Sequence, residues 1–306
     1  KWAGTSDENV GVYDEESKRT IYTYYDPITR PDTSIYSDIY VVSPREFSAY
    51  FQDKMEFDQM VINMGLRFDY SDPNTVYPSQ LRNPGNQLYF PSVDENGNIV
   101  TDSDGNIVLN EERMSTYLKA APQKQISPRI GIAYQLGRAA LLRFSYGHFF
   151  QMPPYYAIYA NNSFLVSPID YDTKMGNPNI KAQKTIQYEV GFWQELNRNM
   201  TMEIALFYRD IYDLLGAKVI TTYNQISYGL YSNKDYGNVR GVELKYDYGM
   251  NDLHIGMNYT LQYTKGNANN PSSTFDREGS QKDPIKRLIP MSWDQRHTAN
   301  LAVGYN

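Results

Sequence analysis

The feature that most constrains this chain is an apolar/polar alternation of period two that returns in place after place. From Leu253 to Thr264, Leu253, Ile255, Met257, Tyr259, Leu261 and Tyr263 are apolar or aromatic. Between them stand His254, Gly256, Asn258, Thr260, Gln262 and Thr264. A β-strand sends such sets to opposite faces, one suited to lipid or a core and the other to water. Ile186, Tyr188, Val190 and Phe192 alternate in the same way with Gln187, Glu189 and Gly191. So do Val242, Leu244, Tyr246 and Tyr248 with Gly241, Glu243, Lys245 and Asp247.

Nine segments read as strands, near 44–54, 57–70, 127–136, 139–150, 184–196, 199–212, 239–249, 252–264 and 295–305. Each matches or slightly exceeds the roughly 9–11 residues that cross a bilayer as a tilted strand. The connections alternate strictly. Short links fall at Met55–Glu56, Gly137–Arg138, Asn197–Arg198 and Met250–Asn251. Long ones fall at about 71–126, 151–183, 213–238 and 265–294. Tight periplasmic turns and long outer loops give an outer-membrane barrel this rhythm. Aromatic residues mark both strand ends: Tyr70, Tyr146, Tyr208 and Tyr263 near the long loops, and Tyr134, Phe192, Tyr248 and Tyr305 near the short turns. That is the placement of two interfacial girdles.

The expected fold class is therefore all-β, an antiparallel transmembrane β-barrel segment. Residues 1–43 are expected to be an extracellular loop and 44–306 a partial barrel. An open sheet would leave unpaired edges in hydrocarbon, so the missing strands are expected before Lys1 and after Asn306. The start has no cationic region followed by an apolar core, and both ends read as cuts.

Composition removes several classes. With no cysteine among 306 residues, there is no disulfide framework, thiolate metal site or cysteine nucleophile. A net charge of -6 gives no basic footprint for nucleic acid. Mean hydropathy is negative, which a barrel tolerates because only every second strand residue meets lipid. His148, His254 and His297 lie on three separate strands, so no metal or cofactor is expected. No nucleophile elbow or phosphate loop is present, and no enzyme is expected.

Several segments resemble TonB-dependent receptors. NPNIKAQKTIQYEVG (Asn177 to Gly191) is similar to that family's Asn-Pro-x-Leu-Lys-Pro-Glu segment before a Tyr-Glu-x-Gly strand, with Ala182-Gln183 in place of Pro-Glu. With YGHFFQMPPYY (Tyr146 to Tyr156) before it and FYRDIYDLL (Phe207 to Leu215), YGNVRGVELKYDYG (Tyr236 to Gly249) and WDQRHTANLAVGY (Trp293 to Tyr305) after it, five segments resemble the family's in the family's order. The closest flavour is the large Oar-like receptors of Bacteroidota-like bacteria, which often carry an N-terminal carboxypeptidase-regulatory-like domain. The resemblance implies a Gram-negative outer-membrane barrel of about 22 strands, closed by its own N-terminal plug. It implies outer-membrane lipid as surroundings and import of a siderophore, vitamin, oligosaccharide or peptide, driven by TonB–ExbB–ExbD through the plug. A surface lipoprotein or other outer-membrane protein is a further partner it admits.

Three groups of residues are candidates for function. Tyr22, Tyr24, Tyr25, Tyr36 and Tyr40, with Tyr155, Tyr156 and Tyr159 in the loop after the Met-Pro-Pro turn, are the ligand or partner candidates. Exposed aromatics suit sugar, peptide or protein contacts, and packing of loop on loop explains them equally well. Arg67, Asp69, Arg143, Glu189, Arg209, Glu243, Lys245 and Asp247 share the polar strand face, facing the lumen and, by the resemblance, the plug. Solvation of a wet interior is the plainer explanation. In the near-repeat DENGNIV/DSDGNIV, Asp102, Asp104, Asn106 and Glu111 offer oxygen ligands to calcium. The EF-hand glycine falls two residues beyond Gly105, so paired tight turns are the favoured reading. Two rivals to the importer remain: a barrel that anchors or assists a surface or secretion complex, and a soluble secreted all-β binding protein.

Overall fold

The computed structural model describes residues 12–21, 39–168, 173–267, 270–280 and 288–305. A small ribbon, β1 (Val12–Asp14) with β2 (Arg19–Ile21), precedes β3 (Arg45–Glu56) and β4 (Met60–Asp72). A second ribbon, β5 (Val76–Pro78) with β6 (Tyr117–Lys119), brackets a long loop. Then come β7 (Gln123–Leu136), β8 (Ala140–Gln151), helix α1 (Tyr155–Tyr159), β9 (Lys174–Met175), β10 (Gln183–Asn197) and β11 (Met200–Thr221). After them follow β12 (Ser227–Met250), β13 (Leu253–Gly266), helix α2 (Ser273–Gly279), β14 (Ile289–Pro290) and β15 (His297–Tyr305). The nine long strands β3, β4, β7, β8, β10, β11, β12, β13 and β15 each pair antiparallel with the next, and all nine expected strands are present.

Register aligns the faces. One cross-strand row reads Ile132, Phe144, Val190, Leu206, Val242, Leu261. The adjacent row reads Ala133, Arg143, Gly191, Ala205, Glu243, Thr260, Thr298. Period two thus produces one apolar and one polar face, and a one-residue slip anywhere would exchange them. The apolar face is bare: Leu206 is 54% exposed, Phe51 73% and Leu301 69%. A single sheet layer with such a face needs another apolar phase to cover it. Along its long-loop side Tyr146, Tyr188 and Tyr208 form a row, with ring centroids 5.0 and 6.4 Å apart.

Three differences from the sequence reading have local causes. The first tight turn lies at 57–59, beyond Met55–Glu56, because Phe57 and Met60 close it with reciprocal backbone hydrogen bonds. The 213–238 stretch is no loop. β11 and β12 run on for 22 and 24 residues and turn at 222–226, well past what a bilayer requires. A bulge hides this: the register shifts around Leu214, and Asp213 takes φ 56°. An extra residue resets the alternation, so a phase-locked reading stops at residue 212. Third, the 71–126 link, read as one long loop, carries strands of its own, with the β5–β6 ribbon across its base.

The two buried clusters sit at the long-loop end, where loop residues meet the extensions of β11 and β12. One cluster gathers Ala157, Ile158, Tyr159, Ile180, Ala217, Tyr231 and Phe275. The other gathers Phe164, Val166, Met175, Tyr228 and Leu230. Both pack against the extensions of β11 and β12.

Candidate functional site

Two surfaces can meet a ligand: the polar sheet face and the loop layer above it. On the polar face Arg67 forks onto Asp69, with Nε 2.9 and 3.0 Å from the two carboxylate oxygens and Nη2 2.8 Å from one. Arg143 pairs with Glu203, which stands opposite Lys245 across β11–β12. Gln187 donates to Glu189 at 3.3 Å. Glu243 stands between Ala205 and Thr260, and Lys245 faces Asn258. The Arg209 guanidinium lies 5.1 Å over the Phe207 ring; its Nε is buried without a hydrogen-bond partner among the described residues. Arg67, Arg143, Glu189, Arg209, Glu243 and Lys245 thus share one face, as two ion pairs and separate polar positions rather than one constellation.

A groove of about 620 Å³ opens on this face where side chains are missing at Gly65, Gly131 and Gly147. Arg67, Arg129 and Gln187 edge it, and Arg129 lies 4.7 Å over the Phe149 ring. The strands expose backbone here and keep cations at the rim, leaving room for a polypeptide or an elongated ligand against the wall.

The loop layer is tied together by side chains that reach across long stretches of sequence. The Tyr159 hydroxyl donates to the Pro73 carbonyl at 2.8 Å, and that of Tyr228 to the Leu81 carbonyl at 2.7 Å. Burial pushes the Tyr159 phenol up to about 12. In the Asn-Pro segment, Asn177 accepts from the Asn179 amide and donates to the Tyr231 carbonyl at 2.9 Å, while Ile180 is 1% exposed. The segment that carries the resemblance is therefore a clasp between the α1 loop and β12.

The tyrosines expected at the ligand separate. Tyr155 and Tyr156 are half exposed, but Tyr159 is 2% exposed. It is a packing residue between Tyr40 and Tyr155, with ring centroids 5.7 and 5.8 Å away, so an exposed role for Tyr159 is corrected. Tyr40 packs against the same cluster. Tyr22, Tyr24, Tyr25 and Tyr36 lie outside the described residues. Asn83, Asn177 and Tyr228 organise the layer and were not singled out from sequence. The carbonyls they bond are 5 to 147 residues away, and only the Asn-Pro pair offered a local signal.

The near-repeat folds as two stacked turns. Asp94 accepts from the Asn96 and Asn98 amides, and Asp102 from those of Asp104 and Asn106. Gly97 and Gly105 supply φ of 84° and 81°, where other residues are strained. Hydrogen bonds from Asn98 hold the Asp94 carboxyl below its ordinary range, and those from Asn106 do the same for Asp102. Among the described residues no group of three or more His, Cys, Asp or Glu is placed to hold a metal ion. Asp102, Asp104 and Asn106 serve the turn itself.

Comparison with known proteins matches this geometry. A family model described as TonB dependent receptor-like, beta-barrel, matches residues 2–306. A double mutant of the hemophore receptor HasR of Serratia marcescens, solved with its hemophore HasA and heme, superposes with a TM-score of 0.54 at 15% identity. The match covers 86% of this chain and 41% of that one. The FrpB iron transporter of Neisseria meningitidis gives 0.46 at 15% identity, over 74% and 27% of the two chains. The ferric-catecholate import receptor Fiu of E. coli K12 gives 0.45 at 18%, over 86% and 32%. This chain thus spans 27% to 41% of the length of these three. A search of curated protein sequences gave no match. Receptors of the matched family are outer-membrane transporters rather than enzymes, and the soluble binding-protein alternative falls with that match. With its two-faced sheet, tight turns at one end and long loops at the other, the chain belongs to the TonB-dependent receptor family, as part of its β-barrel.

Proposed function

We propose that this chain forms part of the wall and outer cap of a plug-gated importer in the outer membrane of a Gram-negative bacterium. The apolar face meets lipid, the polar face lines the lumen, and the long loops stand outside the cell. The observation that carries this is the register: across the six strands β7, β8 and β10 to β13 one row is apolar and the next is small or polar. A glycine-floored groove rimmed by Arg67 and Arg129 suits close approach of the protein's own N-terminal plug. Tyr155 and Tyr156 are exposed in the loop layer and are the contacts offered to an incoming ligand. Energy would reach the plug through TonB–ExbB–ExbD. HasR, solved with a protein that carries heme, is a precedent for capture of a protein-borne ligand by a related barrel.

The test is uptake by cells with and without the full-length receptor, in TonB-competent and TonB-deficient backgrounds, across ferric chelates, cobalamin, oligosaccharides and peptides. The importer reading expects a ligand whose uptake requires both. If uptake of every panel member is unchanged while the surface or secretion complement alters, the barrel is an anchor and not an importer.

A further inference from the structure

The far tip of the β11–β12 extension carries a cluster that neither the lumen nor the sheet uses. Four side chains from three separated segments meet there: Arg82 and Phe90 from the 73–122 loop, Arg113 from its return, and Tyr223 from the hairpin turn. The Arg82 guanidinium carbon lies 4.3 Å from the Tyr223 ring centroid. That of Arg113 lies 5.3 Å from the Phe90 centroid and 5.7 Å from that of Tyr223. Phe90 meets Tyr223 edge to face at 5.2 Å.

This arrangement is built, not incidental. Asn83, 2% exposed, donates through Nδ2 to the carbonyls of Leu88 and Arg113 at 2.8 and 3.1 Å and accepts from the Leu88 amide at 3.1 Å. The Asn110 amide donates to the Phe90 carbonyl, and the Asn110 side chain accepts from the Arg113 amide at 3.1 Å. The Tyr223 amide donates to the Arg82 carbonyl at 3.2 Å. The turn bearing Tyr223 is closed by Thr222, whose hydroxyl donates to the Ile226 carbonyl at 2.8 Å.

Two cations on one ring repel each other, and an anion between or beside them relieves that. Among the described residues neither guanidinium donates a hydrogen bond or forms an ion pair, in a chain whose net charge is -6. The contacts with the rings commit none of the guanidinium N–H donors to a hydrogen bond, so those donors remain in the fork that matches an oxyanion. Both arginines are exposed, and a groove of about 180 Å³ runs from Arg82 past Gln87, Thr222 and Asn224.

The geometry points to a binding subsite at Arg82, Phe90, Arg113 and Tyr223 for an oxyanion group, carboxylate or phosphate, carried by the ligand. The aromatic edges and the groove hold the part of the ligand that bears the anion. The assignment rests on the proposed importer reading only for placing this tip outside the cell and for making the bound molecule cargo.

The experiment is calorimetric titration of the full-length receptor in detergent with citrate, inorganic phosphate and, as a neutral control, glucose, at low ionic strength. Citrate or phosphate is expected to bind saturably and more weakly as salt rises. The Arg82→Gln/Arg113→Gln variant should lose about tenfold or more of that affinity, since each charge-assisted bond it removes is among the stronger ones. Lys124→Gln, a charge change away from the cluster, should lose none. Arg113→Lys, which keeps charge and stem but lacks the fork, should fall between. Tighter citrate than phosphate assigns a carboxylate, and the reverse a phosphate. The proposal is overturned if neither anion saturates, if the double variant or Arg113→Lys binds as well as the parent, or if Lys124→Gln weakens binding equally. Binding that persists in a receptor with no TonB-dependent uptake would sink the importer reading and leave this one standing. TonB-dependent uptake of a neutral ligand, with no anion bound, would do the opposite.

Discussion

Replacing Asn83 by alanine should loosen one region of the loop layer while leaving the sheet untouched. The side chain makes three hydrogen bonds with backbone groups, to the Leu88 carbonyl, the Arg113 carbonyl and from the Leu88 amide, at 2.8, 3.1 and 3.1 Å, besides a weaker one to Met114 Sδ at 3.6 Å. Each is worth about 1 kcal/mol net, and more where the abandoned partner stays buried, so the loss is about 3 kcal/mol. At about 1.4 kcal/mol per factor of ten, local opening becomes about a hundredfold more frequent. The adjoining tie, in which Asn86 accepts from the Ser115 amide at 2.7 Å and donates to its carbonyl at 2.9 Å, does not use Asn83 and should confine the damage. Amide hydrogen exchange on the full-length protein in lipid reads this directly. The Leu88 amide should exchange about a hundredfold faster in the variant, while β10 and β11 amides keep their rates. An acceleration at Leu88 below about threefold would refute the hydrogen-bond accounting. Equal acceleration in β10 would refute the independence of loop layer and sheet.

Three further outcomes follow from the same geometry. Gly176→Ala would set a Cβ 2.7 Å from the Ile158 carbonyl oxygen and the Ala160 amide nitrogen, both backbone, so α1 must move away from β9. A local loss of about 1–3 kcal/mol is expected, read as faster proteolysis between residues 152 and 182. Leu206→Arg on the apolar face should destabilise insertion into lipid vesicles by about 2–4 kcal/mol if it lies near the bilayer midplane, whereas Thr260→Arg on the polar face should cost far less in the same urea titration. Equal losses would overturn the assignment of faces. Asp94 and Asp102 have folded-state pKa values below 3.8, so their turn stabilisation is fully present above that value and is lost as pH falls through the depressed one. The Asn98 and Asn106 amide resonances should hold their positions from neutral pH to about 4 and move only below it; movement between pH 5 and 7 would contradict the sign.

The sheet was legible because lipid imposes a periodic demand. Ile132, Phe144, Val190, Leu206, Val242 and Leu261 form one apolar row, and the same demand is written locally as period two in each strand. The reading failed where the chain leaves the bilayer. Past Asp213 one inserted residue puts the β11 extension out of phase, and its polar Lys218 and Thr221 face water, so nothing enforces a lipid pattern. The same freedom hid the β5–β6 ribbon, whose three-residue strands are too short to show a period.

The loop layer answers to a different requirement, which explains why its site was largely illegible. Among the described residues the buried clusters lie in the loop layer, and loops carry backbone groups that must find partners when buried. Short amides meet that need: Asn83, Asn86, Asn177 and Asn233 each donate to backbone carbonyls, at residues 5 to 54 positions away. A partner so distant leaves no spacing to read, and asparagine is ordinary in any polar loop. The tyrosines mislead for a related reason. Tyr159 and Tyr228 supply an apolar body to the core and a hydroxyl to a carbonyl, so the two uses of tyrosine, packing and contact, look identical in sequence. Arg82 and Arg113 lie 31 positions apart and become neighbours only because Asn83 and Asn110 fold the segment between them back on itself. A recognition surface assembled in this way is set by the ties beneath it. Its position should therefore be more sensitive to Asn83 than to any residue that a ligand itself could touch.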